Sequence, residues 1–155
     1  MKLIRFGANG QEKPGVVDSD GVVRDASAIV PDYAPETINA ALASLRGADI
    51  GNLPKAPDGA RIGAPLSRTG HFIAIGLNYA DHAAETGAPI PAEPIVFSKA
   101  PSCLCGPNDD VLMPRGSVKL DWEVELAIVI GKRCDYVEEK DALDHVLGYA
   151  LCNDV

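Results

Sequence analysis

The chain has 155 residues, enough for one domain with a core of its own. Lys and Arg number 14 against 22 Asp and Glu, a net charge of −8 that argues against nonspecific attachment to nucleic acid or to an anionic membrane. Hydrophobic residues at 46% and charged residues at 23% exclude a disordered or coiled-coil chain, and no apolar run approaches the roughly 18 to 20 residues of a bilayer span.

Met1-Lys2-Leu3-Ile4-Arg5-Phe6 is charged too early for a signal peptide, so a soluble, cytoplasmic protein is expected. Cys103, Cys105, Cys134 and Cys152 lack C-x-x-C spacing, which argues against structural zinc and for reduced, partly buried thiols. Lys2–Phe6 reads as a strand, Asn9-Gly10 as a turn, Gly15-Val16-Val17 as a second strand and Asp20-Gly21 as a turn into Val22-Val23. Asx-Gly pairs supply the positive φ that such turns need. Pro35-Glu36 predicts the start of a helix reaching Arg46, with Ile38, Leu42 and Leu45 on one face. Residues 51–70, rich in Gly and Pro, read as a linker, and a boundary near residue 65 separates a small N-terminal domain (1–65) from the start of a larger fold (66–155). Beyond it, Phe72–Ile75 and Ile95–Phe97 read as short strands, the first buried, and Leu120–Ile130 as a long strand running into the interior. The expected class is mixed α+β, rich in β structure.

Asp121, Glu123 and Glu125 share one face of the last strand by simple alternation, about 7 Å apart along it. Such a row carried toward a core requires a cation or hydrogen-bond donors. Its hard oxygen ligands suit Mg²⁺, Mn²⁺ or Ca²⁺ rather than zinc. The alternative is an edge strand with a solvated acidic face. In Gly76-Leu77-Asn78-Tyr79-Ala80-Asp81-His82-Ala83-Ala84-Glu85, Asn78 is a candidate N-cap with Asp81 at N3, and a short helix sets His82 and Glu85 on one side. A carboxylate beside an imidazole suits a general base near neutral pH, whereas a plain surface pair is the bland reading. Asp154 ends the apolar stretch Gly148–Cys152, where an acid needs a partner unless it merely caps a turn.

Together these segments resemble the fumarylacetoacetate hydrolase family. The resemblance rests on Gly76-x-Asn78-Tyr79-x-x-His82-x-x-Glu85, then Pro94-Ile95-Val96-Phe97-Ser98-Lys99, then Glu123-x-Glu125-Leu126, then Gly148-Tyr149 with Asn153-Asp154. Order and spacing match from about residue 60 onward, and the N-terminal meander looks like the small leading domain of bacterial members.

The resemblance implies the first part of the family's β-roll, with Glu123, Glu125 and Asp154 as ligands to Mg²⁺ or Mn²⁺. It also implies a water-activating dyad of His82 and Glu85, a lid over residues 80–99, and Lys99 as a contact to an anionic substrate. The implied reaction is metal-dependent hydrolysis of a C–C bond in a small 2,4-diketo acid of acylpyruvate type. Ureidoglycolate lyase, keto-acid decarboxylase or tautomerase chemistry on the same scaffold are the alternatives, with a non-catalytic binding domain as the rival class. A homodimer with a small anionic keto acid as its partner, and no nucleic acid or membrane, is also implied. Family members continue past the Asn-Asp-Val segment, so a truncated catalytic core is expected.

Overall fold

The structure is a computed structural model and describes residues 1–155. Strands β1 (Lys2–Phe6), β2 (Lys13–Val17) and β3 (Val23–Asp25) form an antiparallel sheet in the order β1-β2-β3. Gly21 carries φ +81° in the second turn. There Asp18 accepts hydrogen bonds from the Asp20 and Val22 amides, each 2.9 Å, and from Arg24 Nε at 2.7 Å. Gly15 has no room for a side chain, because a Cβ would stand 3.0 Å from both Ile4 and Phe6.

Helix α1 (Ile38–Gly47) lays Ile38, Ala41 and Leu45 on this sheet, with Leu42 half-buried at the margin of the contact. These residues close a core with Val16, Ala26, Val30 and Tyr33. The Tyr33 hydroxyl donates to the Gly15 carbonyl at 2.8 Å, so the one large polar tip in the core is satisfied. The helix starts at Ile38, three residues later than the Pro35 signal predicts. Thr37 at the cap spends its hydroxyl backward on the Asp32 carbonyl, at 2.6 Å, in a turn that precedes the helix.

Residues 51–70 are not a free linker. The Asp25 amide donates to Pro54 O at 2.7 Å and the Ala56 amide to Val23 O at 2.9 Å, along the β3 edge. The Gly7 amide donates to Arg61 O and the Gly63 amide to Arg5 O, both at 2.8 Å, along the β1 edge. One strap therefore covers both open edges of the sheet, whose unpaired backbone groups need partners. Arg61 then joins three parts of the chain, donating to Glu12 Oε1 at 2.7 Å and to Asp109 Oδ1 at 2.6 Å. Arg5 pairs with Asp32 at 2.8 Å beside the same Glu12.

Burial opposes ionisation of Glu12, but the hydrogen bond from Arg61 and the charge of Arg5 outweigh it and hold the carboxyl below its ordinary value of 4.5. A lowered folded value means that stability from Glu12 is complete above pH 4.5 and is lost as pH falls through the folded value. Glu12→Gln is accordingly expected to destabilise the protein at pH 7. The gap from wild type should close as pH drops below that range, measured by urea unfolding at a series of pH values. A gap independent of pH would contradict the assigned charge coupling.

The rest of the chain forms two antiparallel hairpins. Strand β4 (Phe72–Gly76) pairs with β5 (Ile95–Lys99), with helix α2 (Ala80–Glu85) in the connection. Strand β6 (Val124–Ile130) pairs with β7 (Val146–Asn153). Three expectations are corrected here. Strand β4 is not buried, since Ile73 and Ile75 alternate outward and are exposed. Strand β6 begins at Val124, not Leu120, and does not run into an interior, because Ile128 and Ile130 are each 56% exposed. Three of the four cysteines are exposed, with Cys152 half-buried and all four free. For the two strands the reason is that each hairpin is a two-stranded ribbon over whose outer face this stretch of chain lays no second layer, while Cys103, Cys105 and Cys134 lie outside the strands. No helix is long and apolar enough to cross a membrane.

Candidate metal centre

The site is built by the open end of the β6–β7 hairpin. Val124 stands opposite Asn153 and Glu125 opposite Cys152. One residue further out, the Glu123 amide donates to Asn153 Oδ1 and the Asp154 amide donates to Glu123 O, both at 2.8 Å. These bonds extend the ladder past the last regular pair. Alternation then sets Glu123, Glu125, Cys152 and Asp154 on one face, while Val124, Leu126 and Leu151 occupy the other. Glu123, Glu125 and Asp154 each offer an oxygen, and these atoms lie within 4.8 Å of one another. Glu123 is exposed and the other two are half-buried.

Three like charges this close repel unless a cation stands among them. One cation is supplied by the protein: Lys99, at the end of β5, donates from Nζ to Asp154 Oδ1. That bond holds the ammonium pKa above its ordinary value despite partial burial, and the Cys103 and Glu123 side chains add to the hold. The Phe97 ring centroid lies 5.6 Å from the same Nζ, within range of a cation–π contact. Burial first, and then Glu125 and Asp154, push the Cys152 thiol upward, which keeps it neutral beside the carboxylates. One ammonium offsets only part of this charge, so the cluster stays net negative and attractive to a further cation. An all-oxygen donor set of this size fits a hard cation such as Mg²⁺ or Mn²⁺.

An open cleft of about 290 Å³ lies against this face, with Phe97, Lys99, Lys119, Glu123 and Asp154 on its walls. Lys119 is a wall residue that the sequence did not flag, because a lone lysine in a polar segment carries no pattern. Asp121, expected to share the face of Glu123 and Glu125, lines the cleft but lies outside the clustered triad. It precedes the strand, and its carboxylate accepts from the adjacent Trp122 amide at 2.8 Å.

His82 and Glu85 lie on α2, both exposed, and no ion pair joins them. Neither lines the cleft. The Asn78 cap is corrected: Tyr79 occupies the N-cap position without a side-chain cap bond, and Leu77 before it takes φ +49°. That left-handed residue turns the chain between β4 and the helix. The Asp81 carboxylate accepts from the neighbouring His82 amide at 2.9 Å.

Fold and site together define a strand-rich α+β protein with a clustered carboxylate triad at a hairpin end. The family model for the fumarylacetoacetate (FAA) hydrolase C-terminal domain matches residues 71–155, so the chain belongs to the fumarylacetoacetate hydrolase family. A relative from Burkholderia ambifaria (strain MC40-6), named no more specifically than as a hydrolase, is 58% identical over 156 residues. That match takes in 100% of this chain and 55% of the relative. The solved structure of fumarylacetoacetate hydrolase from Exiguobacterium antarcticum superposes with a TM-score of 0.73 at 32% identity, covering 99% of this chain and 55% of that one. Maleylpyruvate hydrolase from Sphingobium sp. SYK-6, solved in complex with manganese(II) ion and pyruvate, superposes with a TM-score of 0.73 at 29% identity. It covers 99% of this chain and 58% of that one. The chain thus spans about half the length of the curated relatives it matches, and its strand-rich α+β architecture is that of the family.

Proposed function

We propose that this chain supplies the metal ligands of a divalent-metal-dependent hydrolase that cleaves a C–C bond in a small 2,4-diketo acid. The observation that carries the reading is the convergence of Glu123, Glu125 and Asp154 within 4.8 Å beside a cleft walled by Lys99 and Lys119. The manganese and pyruvate bound by the maleylpyruvate hydrolase relative support the same ion class and a keto-acid ligand. A divalent ion held by the three carboxylates would supply Lewis-acid polarisation of a chelating 2-oxo acid.

The remaining work falls to side chains of the chain itself. Lys119 brings positive charge to the cleft wall, where it offsets repulsion between an anionic substrate and an acidic protein. His82 takes the proton from the attacking water, oriented by Glu85 one turn further along α2. This role requires α2 to close over the cleft, since neither side chain lines it. A homodimer, implied by the family resemblance, belongs to the same proposal.

The test is turnover of an acylpyruvate by the purified protein with Mg²⁺ or Mn²⁺, followed as pyruvate release, with ureidoglycolate as a parallel substrate. The expected result is pyruvate release that EDTA abolishes and that returning the metal restores. Turnover of ureidoglycolate alone would reassign the reaction to a lyase. Turnover indifferent to EDTA would overturn the metal-dependent reading.

A further inference from the structure

Lys99 belongs to the β4–β5 hairpin, whereas all three clustered carboxylates belong to the β6–β7 hairpin and the residues flanking it. Its ammonium nevertheless reaches across 55 residues of sequence to Asp154 Oδ1, and that carboxylate oxygen is the one hydrogen-bond acceptor it has. Both side chains are mostly shielded, at 25% and 19% exposed, so the pair is not a loose surface contact. The Phe97 ring, its centroid 5.6 Å from Nζ, stands beside the same ammonium and adds a cation–π contact to the pair. An ion coordinated by oxygens that lie within 4.8 Å of one another must stand a few ångströms from Asp154, and hence close to Nζ. Two cations at that separation repel, and a carboxylate shared between them is held less well by each.

We infer that Lys99 is a built-in competitor for the metal: its ammonium and a divalent cation exclude one another on Asp154, and the lysine sets the metal affinity of the site. This rests on the reading of the triad as a divalent-ion site. Lys99 is here a positioning residue for the carboxylates and not a ligand. Two effects of its removal act in the same direction. Asp154 is freed from its ion pair, and the positive charge that opposes an incoming cation disappears.

The experiment is a Mn²⁺ titration, by calorimetry or by the magnetic resonance signal of free Mn²⁺, on wild type, Lys99→Met, Lys99→Arg and Glu123→Ala. Lys99→Met is expected to bind Mn²⁺ about three- to tenfold more tightly, the range of one partly shielded ion pair. Lys99→Arg keeps the charge and should bind no more tightly than wild type. Equal or weaker binding by Lys99→Met overturns the competition while leaving the metal site intact. Failure of wild type to bind Mn²⁺, or undiminished binding by Glu123→Ala, overturns the site itself and the competition with it. Should Lys99→Met fail to fold, a crystal structure of wild type with Mn²⁺ decides the matter. An ion on the triad with Nζ beyond roughly 4 Å from the Asp154 carboxylate supports competition, and an ion bound with the Lys99–Asp154 pair still closed overturns it.

Discussion

Glu123→Ala is expected to abolish Mn²⁺ binding, with a loss of affinity well beyond the roughly 10- to 100-fold that removing an outer-shell partner costs. Glu123 supplies one of only three clustered carboxylates, and its backbone already anchors both Asn153 and Asp154. Truncating its side chain removes a ligand without disturbing those bonds, since they are made by the main chain. Without added metal the variant should be no less stable than wild type, because losing one of three mutually repelling carboxylates relieves electrostatic strain. Asp121→Ala is the control. Asp121 lines the same cleft, yet stands outside the triad, so Mn²⁺ affinity should change little. Calorimetric titration of the three proteins checks both statements. Similar losses in the two variants would mean that bulk negative charge, not a defined triad, attracts the ion.

His82→Ala is expected to lower diketo-acid turnover by about 100- to 10,000-fold, the usual contribution of a general base, while Mn²⁺ affinity and thermal stability stay at wild-type levels. The separation follows from placement. His82 sits exposed on α2, outside the carboxylate cluster, so its side chain supports neither the metal nor the core. Glu85→Gln should give a smaller loss, because Glu85 acts on the water only through the imidazole. Turnover and Mn²⁺ affinity falling together in His82→Ala would contradict the division of roles. Unchanged turnover would remove His82 from the chemistry.

Much of the site was legible because it depends on local periodicity. A strand shows its alternation in the sequence, so Glu123 and Glu125 could be set on one face before any partner strand was known. The meander was legible for a similar reason, as Asp20-Gly21 carries its own backbone preference and needs no distant contact to turn. Reading failed wherever the deciding partner was remote. The strap at residues 54–63 reads as a linker because Gly and Pro signal turns, and the open β1 and β3 edges that bind it lie some 30 to 60 residues earlier. The exposure of β6 in this chain is not legible in the sequence, because an apolar run shows a preference for burial but not which residues lie over it.

The sequence by itself determined the family and the residue types on which the proposed chemistry rests. Carboxylates at strand spacing, His82 and Glu85 three residues apart, and an acidic, strand-rich chain are properties of residue type and order, and they hold in any packing. Only the tertiary structure decided which groups share the site: that Asp154 closes the ladder against Glu123, that Asp121 stays out of the triad, and that Lys99 enters it from another hairpin. Charges interact through space at a few ångströms, and separations that small between remote residues are set by how the hairpins dock, not by periodicity along the chain.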